Sequence, residues 1–395
     1  MIDTLMKRLR VLELGPSESA GMAGMILSDL GMEVIRIDTP LTDGEETVWS
    51  NEDAVTFGLS AGGDRVCDRG KKRVFLNLRD NTQRELFMRL LATCDGVLDG
   101  CRPSVMADLG LDGETMQAAA PGVVYTQISG YGASGPYMDR LWSEAVIQAE
   151  SGFVSTTGLE GEDPVRCGGD VASALGGLMA CIAMLTGLLE RQKSPASQGR
   201  RMDVSMMDSI LFGLENQFSL YLKSGVIPKP RGNNYALSAP VGNFLCGDGK
   251  EIMISVATEA QWKAFAEALH KESWLTRPEF ANVSQRIKHY KLLGREVSAA
   301  FAQYTRAELI EVLQSRSCVY GCINDFPTVV EHSQVASRGT FMKVTGSDGQ
   351  AFTAPANPIA TDGCAYSTVI HRPGADTATV LDMLKDSECQ RSFDE

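Results

Sequence analysis

One aspartate in this chain stands where a carboxylate could do covalent chemistry. The stretch PVRCGGDVASALGG puts Asp170 after Gly168 and Gly169 and directly before an uncharged run, residues 171–189, that reads as a helix. Two readings start from that placement. Asp is a preferred helix N-cap and accepts hydrogen bonds from first-turn N–H groups. The same carboxylate sits in the positive field of the helix start, and two glycines clear side chains from one side of it, so a bulky ligand can approach. Held there, it can act as a nucleophile and form a covalent acyl intermediate, with nearby N–H groups stabilising the charge that develops on an acyl oxygen. A second feature is SGYGASGPYMDR, residues 129–140, which follows the strand-like run VVYTQI. It is either a plain connection or a loop that moves or lets backbone approach a ligand.

Other chemistries find little support. The residues after the first strand read GPSESAG rather than G-x-G-x-x-G, and no Walker A sequence occurs. No C-x-x-C pair exists, Cys318 and Cys322 being four apart, and the four histidines lack H-x-x-x-H spacing, so no metal site is expected. Ten cysteines scattered over the chain suit a reduced, cytoplasmic protein. A net charge of −13 argues against a broad nucleic-acid or anionic-membrane surface, while leaving room for a local basic pocket. The first fifteen residues lack the apolar core and cleavage site of a signal peptide. Residues 171–189 are long enough to span a membrane. They are rich in Gly, Ala and Ser and no second span accompanies them, so a fully buried core helix is expected.

The elements that must position Asp170 follow from the hydrophobic pattern. RVLEL (10–14), a helix over 20–31 ended by Gly31, and MEVIRID (32–38) make a β-α-β opening. RVFLNL (73–78), a helix over 82–94 and GVLDG (96–100) repeat it, followed by a short helical stretch and VVYTQI. This is a doubly wound, Rossmann-like α/β fold with a parallel sheet. The long helix over 171–191, a polar turn over 192–201, the short strand MDVSM and one helix over 206–223 complete it. PKPRGN (228–233) marks a boundary. A hairpin turning at GDGK, with helices over 259–270 and 285–315, forms a smaller α+β module. The expected domains are a large one over 1–225, a small one over 226–330, and a C-terminal segment over 331–395 that returns to the large one.

Six stretches in order resemble the class III CoA-transferases, of the formyl-CoA transferase and carnitine CoA-transferase (CaiB/BaiF) type, over nearly the whole chain. They are VLELGPSESAGMAGMILSDLGMEVIRID, RGKKRVFLNLRD, CDGVLDGCRPSVMADLGLD, VVYTQISGYGASGPYMDR, the long run from PVRCGGDVASALGG to MDVSMMDS, and APVGNFLCGDGKEIMISV. The fourth and fifth are the most specific.

The resemblance implies an acyl-CoA:carboxylate CoA-transferase with Asp170 as nucleophile. The route runs through a mixed anhydride and an aspartyl-CoA thioester, with an acyl-CoA and a carboxylic acid acceptor as substrates. No cofactor is then needed beyond the CoA thioester itself. It also implies an interlocked homodimer, no nucleic-acid or membrane partner, and an SGYGASGP loop bordering the acyl pocket. Arg102 matches an Arg-Pro element near CoA, and Arg79 a basic position near the CoA nucleotide. Lys71, Lys72 and Arg73 could attract its phosphates or form a solvated face. Glu144 matches an acidic position lining the site. Glu18 stands where many relatives have glutamine, and a second carboxylate near Asp170 would couple to it. The resemblance extends to acyl-CoA racemases, whose histidine position falls on Ser143, and serine is unsuited to that proton transfer. A CoA hydrolase and a non-catalytic acyl-CoA-binding protein are further alternatives.

Overall fold

The computed structural model describes residues 6–39, 65–193, 198–359 and 366–394; part of the polar turn read over 192–201 lies outside the described residues. Six short runs form β1 (Arg10–Leu14), β2 (Glu33–Asp38), β3 (Lys72–Phe75), β4 (Gly96–Asp99), β5 (Val124–Ser129) and β6 (Arg201–Ser205). They pair in the order β3-β2-β1-β4-β5-β6, every pair parallel. The central strands β1, β4 and β5 are buried on both faces because helices cover both sides. The helices in this part of the chain are α1 (Glu18–Asp29), α2 (Asn81–Leu91), α3 (Pro103–Asp108), α4 (Gly113–Ala119), α5 (Glu144–Glu150), α6 (Val171–Lys193), α7 (Met206–Gly213) and α8 (Glu215–Ser224).

Alternate residues of each strand feed two cores. Val11, Val34, Leu98, Val124 and Ile128 pack with Ala20, Leu27, Ala180 and Met184 of α1 and α6. Leu12, Ile35, Val97 and Tyr125 face Phe87, Leu90 and Met116 of α2 and α4. The helix over 206–223 is in fact two, broken at Leu214, whose backbone leaves helical geometry. The long apolar helix also departs from expectation. Only one stripe of α6 is buried (Ala172, Gly176, Gly177, Ala180, Cys181, Met184, Gly187, Leu188). A single helix laid on one side of a sheet has one contact stripe, and Ile182 and Leu189 on the other side are 56% and 53% exposed.

The chain divides into two compact units: Met1–Phe153 with Cys167–Gly225 and Ser333–Glu395, and Val154–Arg166 with Val226–His332. Residues 154–166, read from sequence as part of the segment 1–225, therefore fall in the second unit. Their polar contacts explain it: Gly232 donates to the Gly158 carbonyl at 2.8 Å, and Glu160 takes Lys291 at 3.2 Å and the Tyr290 hydroxyl. The second unit has the antiparallel sheet β7 (Val241–Leu245), β8 (Glu251–Ser255), β9 (Tyr320–Cys322). Helices α9 (Glu259–Ala268), α10 (Val283–Lys288), α11 (Tyr290–Phe301) and α12 (Arg306–Ser315) surround Trp262, Trp274, Phe265 and Phe301. The stretch 285–315 is thus not one helix. A capping box of Thr305 and Glu308 starts α12 afresh.

In the first unit, β10 (Phe341–Thr345) and β11 (Ala351–Pro355) form a hairpin, and α13 (Thr377–Asp394) closes the chain. The start of α13 clasps β3: Asp376 and Thr377 accept the backbone N–H groups of Arg73 and Phe75 at 2.8 and 2.9 Å.

Candidate active site

The strand order reverses direction beside β1, where the chain winds outward through β2 and β3 on one side and through β4 to β6 on the other. Open parallel sheets bind ligands at that point, outside the carboxyl ends of the strands. Here the turns after β1 and β4 cross at close range. Gly15 has φ +86°, and a Cβ on it would lie 2.7 Å from Cys101 Sγ and 2.8 Å from the Gly100 carbonyl carbon. Only glycine fits that crossing. It sets Glu18, at the start of α1, and Arg102, at the start of α3, at the same edge of the sheet.

Asp170 lies at the start of α6. Its carbonyl accepts the first helical bond, from Ala174 N–H at 2.9 Å, so its backbone occupies the N-cap position. Its side chain is exposed and has no partner among the described residues. The cap comes from elsewhere. Glu144 Oε1 accepts Ala172 N–H at 2.8 Å, while Oε2 accepts both Ser173 N–H and the Ser173 hydroxyl at 2.8 Å. Burial pushes the Glu144 carboxyl up, yet these donors and the Gln148 amide outweigh it and hold the group below its ordinary value. The N-cap reading of Asp170 is therefore corrected: the first-turn donors belong to Glu144. The same bonds remove Ala172 and Ser173 N–H as oxyanion donors. The N–H groups of Gly169 and Asp170 have no partner among the described residues. A Cβ on Gly168 or Gly169 would meet nothing within 4 Å, so the space beside the carboxylate is open.

Gln148 is a residue that the sequence reading missed. Fully buried, it donates to Glu144 Oε1 at 2.8 Å and to the Gly169 carbonyl at 3.0 Å, and it accepts Cys167 N–H at 3.0 Å. It fastens the 167–169 turn to α5. The i, i+4 spacing of Glu144 and Gln148, which places both on one helix face, was the available signal.

Glu18 does not contact Asp170. It pairs with Arg65 at 3.3 Å, and the Cys67 thiol donates to it at 3.7 Å. Burial pushes that thiol up to about 11, so it stays protonated. Arg65 lies 47 residues away in sequence, and no local pattern announces the pair. Arg102 is the residue before Pro103 at the first turn of α3, and its guanidinium has no partner among the described residues. Arg79 is exposed in the turn between β3 and α2, and among the described residues only its backbone N–H is engaged, by Asn77 Oδ1 at 3.1 Å. Both arginines are thus at the carboxyl edge of the sheet, with guanidinium groups that no described residue engages. The neighbouring basic run is not available to a ligand. Lys71 is fully buried against Glu13 at 2.5 Å, Lys72 pairs with Glu33 at 2.5 Å, and Arg73 is held by Asp38 and Asp68. Ser143 caps α5 by accepting Val146 N–H at 3.4 Å.

The SGYGASGPYMDR loop is tied at several points. A Cβ on Gly130 would lie 2.5 Å from the Trp142 ring. Asp203 accepts Ala133 N–H at 3.0 Å, and Tyr131 donates to Glu150 at 2.7 Å, which also pairs with Arg140 at 2.7 Å.

The sequence and fold of this chain have parallels among known proteins. The sequence matches CoA-transferase family III over residues 6–377. This chain belongs to that family. The family III assignment agrees with its relatives. It is 26% identical to succinate–glutarate CoA-transferase of Agrobacterium fabrum, over 89% of this chain and 88% of that protein. It is 27% identical to acetyl-CoA:oxalate CoA-transferase of Acetobacter aceti, over 89% and 87%. The crystal structure of a CaiB/BaiF family protein from Brucella suis superposes with a TM-score of 0.79 at 26% identity, covering 96% of this chain and 99% of that one. As a family III enzyme whose relatives are named for CoA transfer, the protein is a CoA-transferase acting on acyl-CoA and carboxylate substrates.

Proposed function

We propose that this enzyme moves CoA between carboxylic acids through covalent intermediates on Asp170. The observation that carries the reading is the division of labour at α6: Glu144 caps the helix, leaving the Asp170 carboxylate exposed and unpartnered in the field of the helix start. In the first step a carboxylate oxygen attacks the thioester carbonyl of the donor. The C–S bond breaks, CoA leaves as thiolate, and a mixed anhydride remains. The thiolate then attacks the Asp170 carbonyl carbon, releasing the donor acid and forming an aspartyl-CoA thioester. The acceptor carboxylate displaces CoA to give a second anhydride. The returning thiolate takes the acceptor acyl group and frees Asp170. Each step exchanges one activated acyl group for another, so neither ATP nor a resident cofactor is called for. Arg102 and Arg79 suit the CoA phosphates, which a guanidinium can grip in bidentate fashion. Glu144 and Gln148 act by positioning the helix start and the turn before it.

The named relatives take dicarboxylic acids, so succinate, glutarate and oxalate form the first acceptor set to test. The racemase alternative fits poorly, because Ser143 is spent as the cap of α5. A homodimer suits the exposed apolar faces of α6 to α8 better than a membrane does, because the sheet and α1 already occupy the other side of α6. The scattered cysteines support a cytoplasmic location.

The test is mass spectrometry of the chain after incubation with a panel of acyl-CoAs and hydroxylamine. A hydroxamate on Asp170, absent in Asp170→Asn, is expected. An Asp170 that no acyl-CoA activates would overturn the mechanism. The thermal midpoint of Asp170→Asn should match the parent, since Glu144 and not Asp170 caps α6.

A further inference from the structure

A pocket lies on the face of the sheet opposite α1 and α6. Side chains alternate along a strand, so Tyr125 and Gln127 of β5 point away from the core that holds Val124 and Ile128. The register pairs them with Arg201 and Asp203 of the edge strand β6. Between these residues, α3 and the start of α4 is a pocket of about 540 Å³, within the roughly 300–1,000 Å³ range of small-molecule sites. Met106, Met138 and Tyr125 contribute to its walls.

Two independent features point to an occupant. The first is Gln127, which lines the pocket and is only 8% exposed, yet whose side-chain amide has no hydrogen-bond partner among the described residues. The body of the side chain is packed away, while its amide group is open to solvent and free to hydrogen-bond a molecule in the pocket. The second is charge. Five carboxylates and a single guanidinium line the pocket. Three of them already serve the fold: Asp112 caps α4, Asp139 accepts Ser104 N–H at 3.0 Å, and Asp203 accepts Ala133 N–H. Asp108 and Glu114 have no ion-pair partner among the described residues. No three acidic, His or Cys side chains among the described residues converge as a metal site requires. Negative charge spread around an apolar-walled pocket suits an extended organic cation.

We propose that this pocket binds a small organic cation, an amine or guanidinium carried on an apolar body, with the Gln127 amide as its hydrogen-bonding anchor. Bound there, it would touch the 130–140 loop through Asp139 and the first turn of α3 through Ser104, next to Arg102.

Isothermal titration of the full chain at low salt, with agmatine and phenethylamine as probes, tests this. Saturable binding of one probe per chain is expected, weakening as salt is raised. Gln127→Leu, which keeps the bulk and removes the amide, should weaken it by about tenfold or more, the effect of losing one hydrogen bond. Asp108→Asn should weaken it too. Asp108 is exposed at the end of α3, so this variant reports even if Gln127→Leu fails to fold. Three results overturn the proposal: no saturable binding of either probe by the parent, unchanged affinity in Asp108→Asn and in any Gln127→Leu that folds, or Mg²⁺ alone displacing the probes at equal concentration.

Discussion

At the scale of single residues, the central point is which carboxylate does which job. Asp170 and Glu144 meet the same helix start, and the hydrogen bonds go to Glu144. Glu144→Gln should cost about 1–2 kcal/mol at neutral pH, as losing a charged cap does, and should lower activity by loosening the turn before Asp170. The pH dependence has a definite sign. Burial raises the Glu144 carboxyl, but its donors leave it below its ordinary value of 4.5 in the folded chain. Its ionised form therefore stabilises the fold fully above the unfolded value, and that contribution fades as pH falls through the lower folded value. Urea melts of parent and variant should differ by a constant amount from about pH 7 to pH 5 and converge below about pH 4.5. A gap that widens on acidification would contradict the assignment. Asp170 was legible in the sequence from its glycines and the helix behind it. Gln148 and Arg65 were not, because their partners are set by how α5 meets α6 and by a contact 47 residues apart.

At the scale of elements, the site depends on the seam between α1 and α6. Gly177 is the tightest point: a Cβ there would lie 2.8 Å from the Ser19 carbonyl oxygen and 3.0 Å from Met22 Cβ. Backbone cannot yield as a flexible side chain does. Gly177→Ala should push the helices apart at a cost of about 1–3 kcal/mol, the range for overpacked cores. Because α1 carries Glu18 and α6 carries Asp170, activity should fall by more than the loss of folded protein explains. Urea melts and CoA-transfer rates on the same samples check this, and an unchanged melt would show that the seam can relax. The strands of the parallel sheet were read from sequence to within three residues, since buried parallel strands write continuous apolar runs, while the short strands β9 and β10 were not read. Helix breaks at Leu214 and before Thr305 were missed because the apolar pattern runs on past them.

At the scale of the whole molecule, the apolar surface on α6, α7 and α8 is unusually open. Ile182, Phe212 and Leu222 are 56%, 73% and 77% exposed, a pattern that marks an interaction surface. On the proposed homodimer, Ile182→Asp places a charge in the interface and should shift sedimentation velocity from dimer to monomer. A parent chain that already sediments as a monomer would sink that reading.

The sequence by itself determined the element order, the parallel sheet, the family resemblance and the place of Asp170 at a helix start, because those rest on local periodicity and on residues adjacent in the chain. Tertiary structure alone decided the rest. It assigned the cap of α6 to Glu144, withdrew Lys71, Lys72 and Arg73 into ion pairs, paired Glu18 with Arg65, and opened the pocket over Gln127. Each of these is a contact between segments far apart in the chain, and a hydrogen bond or ion pair reads distance in space, which one-dimensional spacing does not carry.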